Sequence, residues 1–198
     1  MARTVNLDAM IIREDFAAEE ENMSTNAQAT ISVNDLAGNF LTSIIRKPDF
    51  QRETRDWTPK NVVNFLDSIV KGQFIPSLIL WKNSSGYIFV IDGAHRISAL
   101  IAWMQDDYGD GPPSRQFYQN KIAEDQLKIA ESLRKEINKK IGRYEDYVKA
   151  PDMQDAYQAE IVKAARLLRT FAFSIQWITG NVDVAEESFF NINQRAVK

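Results

Sequence analysis

Asp92-Gly93-Ala94-His95-Arg96 gathers a carboxylate, an imidazole and a guanidinium within five residues. That set can hold an anion, orient a water or engage a cation. The residues on either side say where it sits. Tyr87-Ile88-Phe89-Val90-Ile91 is a run of strand formers. Ile97, Leu100, Ile101 and Met104 repeat at the spacing of one helical face. The pentapeptide is thus a strand-to-helix turn. A glycine turn feeding a helix presents unpaired backbone N–H groups and the positive end of the helix dipole. Phosphate suits that geometry. His95 and Arg96 fall in the first helical turn, beside any anion held there.

Each residue also has a purely structural explanation. Asp92 can serve as a helix N-cap, and Gly93 can be present for its backbone freedom. Arg96 can pair with a carboxylate, and His95 can be a packed, satisfied side chain.

Composition narrows the classes. A chain of 198 residues with 44% hydrophobic and 11% aromatic side chains has enough apolar surface for a substantial core. No apolar run reaches the roughly 18 residues of a membrane span. Met10-Ile11-Ile12 is too short for a signal-peptide core. The absence of cysteine rules out disulfides, thiolate metal ligands and a cysteine nucleophile, and suits a cytoplasmic location. A net charge of −3 is not the global signature of a nucleic-acid binder, although a local basic patch can exist.

Along the chain, residues 1–30 read as an N-terminal arm. Its Leu7, Met10, Ile11, Ile12 and Phe16 can dock on the body, while Glu19-Glu20-Glu21 is solvated. Leu36, Phe40, Leu41, Ile44 and Ile45 predict one helix, entered at Asn34 or Asp35 and stopped by Lys47-Pro48. Asp49 to Trp57 is polar and irregular. Thr58-Pro59 opens a helix with apolar positions from Val62 to Val70, ended by Gly72. Leu78–Trp81 and Tyr87–Ile91 predict a hairpin.

Beyond the motif helix, residues 106–113 form an acidic, glycine-rich loop. It is either a solvated turn or a weak oxygen site for a hard cation; it lacks EF-hand spacing. Residues 119–148 predict one long helix. Arg134, Lys135, Lys139, Lys140 and Arg143 make its second half basic, either as a solvated face with i, i+4 pairs or as a nucleic-acid contact. Gly142 and Pro151 bracket a break, and a second helix runs from Met153 to Leu168. Phe171, Phe173, Ile175 and Trp177 alternate as in a half-buried strand. Asp183 and Glu186 suggest a capping box for a last helix. That helix carries the polar run Asn191 to Arg195, and an effector domain beyond Lys198 is left open.

Several segments together resemble one family. They are Ile31-Ser32-Val33-Asn34-Asp35-Leu36, Pro48-Asp49-Phe50-Gln51-Arg52 with Trp57, Leu66-Asp67-Ser68-Ile69 through Ile75-Pro76, the Asp92–Arg96 motif, and Phe189-Phe190-Asn191-Ile192-Asn193. In that order they resemble the N-terminal domain of GmrSD-type restriction enzymes. The usual signature of that bacterial family is Asp-Gly-Gln-Gln-Arg before an apolar helix. Its fold is similar to that of ParB and sulfiredoxin.

The resemblance implies an α+β, ParB/sulfiredoxin-like core over 31–198, with a helical insertion at about 112–169. It implies binding and hydrolysis of a nucleoside triphosphate, with Mg2+ as an optional companion, coupled to a nuclease in anti-phage defence against modified DNA. It places the site at Asp92, Gly93, Ala94, His95 and Arg96, with Gln51 and Arg52 facing it. In that scheme Arg96 and Arg52 hold phosphate oxygens. Asp92 orients a water or a metal, and His95 takes the place of the second glutamine. Catalysis would rest on Asp92 and His95.

Two departures bear on this. Ala94-His95 replaces the paired glutamines. Ala94 also stands where sulfiredoxin carries its cysteine, which excludes sulfinic-acid reduction. Two rival functions stay open. One is a non-enzymatic DNA-binding regulator whose Arg52 and Arg96 touch the backbone. The other is a ParB-like nuclease, although His95 is the only histidine and no metal-nuclease motif is present. Expected partners are a nucleotide and DNA, the latter directly or through a nuclease; a homo-oligomer is left open.

Overall fold

The strand that leads into the motif is the second arm of a hairpin, and that hairpin is the middle of a sheet. The computed structural model describes residues 4–15, 28–49 and 57–195. Among them, six strands form one mixed sheet: β1 (Arg13–Glu14), β2 (Thr30–Ser32), β3 (Ile45–Pro48), β4 (Leu78–Lys82), β5 (Ile88–Asp92) and β6 (Ala172–Trp177). Their order is β1-β3-β5-β4-β6-β2. β4 and β5 pair antiparallel, as a hairpin requires. β3 runs parallel to β5, and β6 runs parallel to β4. Phe89, Val90 and Ile91 are buried, as expected of a central strand covered on both faces.

Helices supply the rest: α1 (Val33–Ala37), α2 (Asn39–Ile44), α3 (Pro59–Val70), α4 (Ala94–Gln105), α5 (Pro112–Phe117), α6 (Glu124–Lys140), α7 (Tyr144–Lys149), α8 (Ala159–Thr170) and α9 (Val182–Arg195). The fold class is therefore α+β, as the sequence implies. Between β5 and β6, all the regular structure is helical. No helix of the described residues is long and apolar enough to cross a membrane.

The chain divides into two compact units. One comprises residues 11–51, 76–94 and 172–198 and holds all six strands with α1, α2 and α9. Its core includes Trp81, Phe89, Ile91 and Ala185, with Ile79, Val182 and Ile192 packed against them. The Trp81 indole N–H donates to the Gly180 carbonyl at 2.9 Å, tying the start of α9 to β4. The other unit comprises residues 1–10, 52–75 and 95–171 and is helical. There α3 packs against α6 and α8. Thr58 caps α3 through a capping box with Asn61, and Pro59 follows at the first turn.

Several local expectations change. The single helix expected from Leu36 to Ile45 is two short helices and a strand. Ser32, not Asn34 or Asp35, caps α1, with Asp35 as the reciprocal partner. Gly38 separates α1 from α2, and β-branched Ile45 enters β3, where it is buried. The single helix expected over 119–148 is α6 and α7. Gly142, at φ +112°, makes the break, a conformation that L side chains rarely adopt. Asn181 rather than Asp183 caps α9: its side-chain oxygen accepts the Val184 N–H at 3.2 Å. In the N-terminal arm Leu7, Met10 and Ile11 are buried, Ile12 is exposed, and Phe16 lies outside the described residues.

Candidate functional site

β5 ends at Asp92, which is half-buried. Gly93 turns the chain at φ +103°, and α4 starts at Ala94. A residue with a Cβ is strained at that φ, so the turn depends on glycine. α4 is unusual in its surroundings. From Ile97 to Trp103 every side chain is at most 2% exposed. His95 and Arg96 are half-buried instead. The helix thus sinks its body into protein and brings two polar side chains to its N-terminal end, where the backbone N–H groups and dipole favour an anion. At its other end the Trp103 indole N–H donates to the Gly142 carbonyl at 3.0 Å, and Trp103 meets Tyr144 and Tyr147 edge to face. A helix held at that end cannot easily withdraw its first turn.

Trp57 fixes the imidazole. Its ring lies on His95 with centroids 5.6 Å apart and planes 15° from parallel. Phe65 of α3 meets the same indole edge-on at 5.5 Å. The Trp57 carbonyl accepts the Val5 N–H at 2.8 Å. Aromatic contacts of this kind contribute about 0.5–1.5 kcal/mol each beyond area burial. Three elements therefore position one histidine ring. Trp57 appears among the resemblance segments without a role; its aromatic character next to a polar run is the signal that could have supplied one.

The motif residues Asp92, Gly93, Ala94, His95 and Arg96 are thus placed as the sequence implies, at a strand-to-helix turn. Gln51 and Arg52 lie outside the described residues. Trp57, five positions after Arg52, is the first described residue beyond that segment.

Two other candidates are accounted for structurally. In the acidic loop the Asp107 carboxylate is fully buried and accepts N–H groups from Gly109, Asp110, Gly111 and Ser114, and the Ser114 hydroxyl, at 2.8–3.0 Å. Asp106 and Asp110 instead hold Arg134, whose guanidinium reaches Asp110 at 2.6 and 2.8 Å and Asp106 at 2.9 Å. The Asp110 hydrogen bonds are the main cause that raises the Arg134 pKa. Among the described residues, no cluster of three or more His, Asp and Glu side chains could hold a metal ion.

Part of the basic stripe is similarly committed. Lys135 pairs with Glu131 and Lys140 with Glu136, both i, i+4, while Arg134 serves the loop. Those pairs follow the self-paired, solvated reading of a helix face; Lys139 and Arg143 complete the stripe.

A family model described as the GmrSD restriction endonuclease, N-terminal domain, matches residues 33–198. Among curated proteins and solved structures, none matches the chain.

Proposed function

Because the chain belongs to the family of GmrSD restriction endonuclease N-terminal domains, a component of a restriction system, we propose that its Asp92–Arg96 turn binds a nucleoside triphosphate and serves as the nucleotide-responsive module of that system. The observation that carries the proposal is the contrast within α4. Its residues 97–103 are buried, while His95 and Arg96 stand half-open at its N-terminus, directly after a glycine turn.

The chemistry fits phosphate. Arg96 offers a planar fork of N–H donors, and the first turn of α4 adds backbone donors and a favourable dipole. Asp92 would orient a water or share a magnesium ion that accompanies the phosphates. Arg52, in the segment that ends at Trp57, would be a second guanidinium for the same phosphates.

Hydrolysis would need a water aligned on the γ-phosphorus. Its oxygen forms the new P–O bond as the bond to the β–γ bridging oxygen breaks, giving a nucleoside diphosphate and inorganic phosphate. A neutral imidazole donates at one nitrogen and accepts at the other, so it can align a water as a glutamine amide does. The Trp57 stack would hold the ring for that task. Cleavage of DNA would fall to a nuclease module distinct from this turn.

Titrating each of the four nucleoside triphosphates into the protein, with and without magnesium, tests the proposal. Saturable binding of at least one, followed by heat or by tryptophan fluorescence, is the expected result. No binding under either condition would refute it.

A further inference from the structure

We propose that Lys47 is a positioning residue of the candidate site: its ammonium pairs with the Asp92 carboxylate and offsets that charge, so that a phosphate can lie at the turn. The phosphate half of this inference rests on the nucleotide reading of the Asp92–Arg96 turn; the ion pair does not. Lys47 lies on β3 and is fully buried. A buried ammonium is strongly unfavourable unless a counter-charge faces it.

Register puts Lys47 and Asp92 on one face of the sheet. β3 runs parallel to β5, with Ile45 opposite Ile88 and Arg46 opposite Phe89. Carried one residue further, that register sets Lys47 opposite Val90. Successive side chains of a strand point to opposite faces. Phe89 and Ile91 belong to the core that α9 covers, with Tyr87 packed against it. The Arg46 guanidinium lies over the Tyr87 ring, 4.4 Å from its centroid, and so is on that face. Lys47, Val90 and Asp92 therefore share the other face. One strand spacing across and two residues along β5 put the Lys47 and Asp92 Cα atoms about 8 Å apart. Such a diagonal is within reach of a long side chain, and lysine has a flexible four-carbon stem.

The other carboxylates of the strand-bearing unit are poorly placed to serve Lys47. Among its described residues, only Asp35, Asp92 and Glu186 are carboxylates that are not exposed. Asp35 is engaged with Ser32 at the cap of α1. Glu186 belongs to α9, which covers the opposite face. Asp92 remains. Arg13 of β1 stands in register with Lys47, so two cations are neighbours on this face. Like charges side by side are unfavourable, which strengthens the need for an anion there. The pair also answers a difficulty of phosphate binding. An uncompensated carboxylate at the turn would repel a phosphate. With the Lys47 ammonium behind it, that repulsion is offset and the backbone N–H groups at the start of α4 can hold the anion.

Wild type, Lys47→Met, Asp92→Asn and the double variant form a cycle that tests both halves. Urea unfolding without ligand tests the pair. Each single variant leaves one charge uncompensated and should lower the midpoint, while the double variant should lose clearly less than the two singles summed. Additive losses would overturn the pair. A Lys47→Met chain that fails to fold both alone and with Asp92→Asn would also overturn it and make Lys47 a packing residue. Calorimetric titration of the four nucleoside triphosphates without magnesium tests the phosphate role. Lys47→Met should weaken binding at least about tenfold, the effect of one unit charge left uncompensated within about 8 Å at the effective dielectric of a protein surface. Adding Asp92→Asn should restore the affinity, which a purely structural lysine would not allow. Undiminished binding by Lys47→Met would overturn the phosphate role. A non-additive urea cycle in a protein that binds no triphosphate, with magnesium or without, would keep the ion pair and overturn the nucleotide reading.

Discussion

The Trp57 indole lies flat on the His95 imidazole, 5.6 Å between centroids and 15° from parallel. The contact joins residues 38 positions apart in sequence, and it sets the orientation of the one histidine in the chain. Both imidazole nitrogens make their hydrogen bonds in the ring plane, so an indole stacked on the ring face holds the ring without competing for those directions.

If His95 aligns the attacking water, His95→Gln should keep both nucleotide binding and phosphate release, since an amide can also donate and accept. His95→Ala should keep binding and lower release by about 100-fold, in the range for a positioned acid–base group. Release is read with a phosphate-binding assay at saturating nucleotide. Undiminished release from His95→Ala would leave the ring a packing role only.

Gly93→Ala should destabilise the fold by about 1–3 kcal/mol, the usual cost of forcing an L side chain into an unfavourable φ. The basis is the φ of +103° at the turn. Urea unfolding midpoints of the two proteins give the difference, and equal midpoints would show that the turn relaxes without cost.

Arg134→Lys should lower stability by about 1–2 kcal/mol, although charge is kept, because an ammonium cannot reproduce the fork to Asp110 together with the Asp106 contact. Nucleotide binding should not change. Thermal melts with binding titrations check both halves; an unchanged melting temperature would mean that the loop is held by the Asp107 cap alone.

Alkaline pH should destabilise the helical unit through its tyrosines. Burial, with Asp146 and Asp67 nearby, pushes Tyr147 from an ordinary value of 10 up to about 12. Below pH 10 both states are protonated and the stability is fully present. Above it the unfolded state ionises first, so stability falls as the pH climbs from 10 through 12. Allowing for solvent screening, the loss from Tyr147 is about 1–2 kcal/mol. Tyr108 is raised in the same direction, chiefly by burial. Tyr147→Phe forfeits the bond to the Ile141 carbonyl but should show a shallower decline between pH 10 and 12 in urea titrations. A decline as steep as wild type would exclude Tyr147 as a contributor.

The strongest periodicities were legible. The β4–β5 hairpin, α3 and β6 each combine a clear apolar pattern with a turn or cap signal, and all three are present. The short elements were not. β2 and β3 span three and four residues, too few for a period to emerge, and they are completed by partners distant in sequence: Ile31 pairs with Phe173, and Ile45 with Ile88. Ile45 fits a helical face as well as a strand, and only the parallel neighbour decides. The motif itself was legible because strand, glycine and helix signals meet there. The Trp57–His95 stack was not, since nothing local in either segment specifies the other. The paired lysines of α6 were legible as i, i+4 pairs, whereas the recruitment of Arg134 by Asp106 and Asp110 depends on tertiary packing.

The central claim is that Arg96, at the start of α4, binds a nucleotide phosphate. Calorimetric titration of a magnesium nucleoside triphosphate into wild type and Arg96→Ala tests it most directly. The account predicts a loss of about 1.5–3 kcal/mol in binding free energy, as for a charge-assisted hydrogen bond, with an unaltered circular dichroism spectrum. Equal affinities in the two proteins, or an Arg96→Ala variant that does not fold, would contradict it and make Arg96 a structural residue.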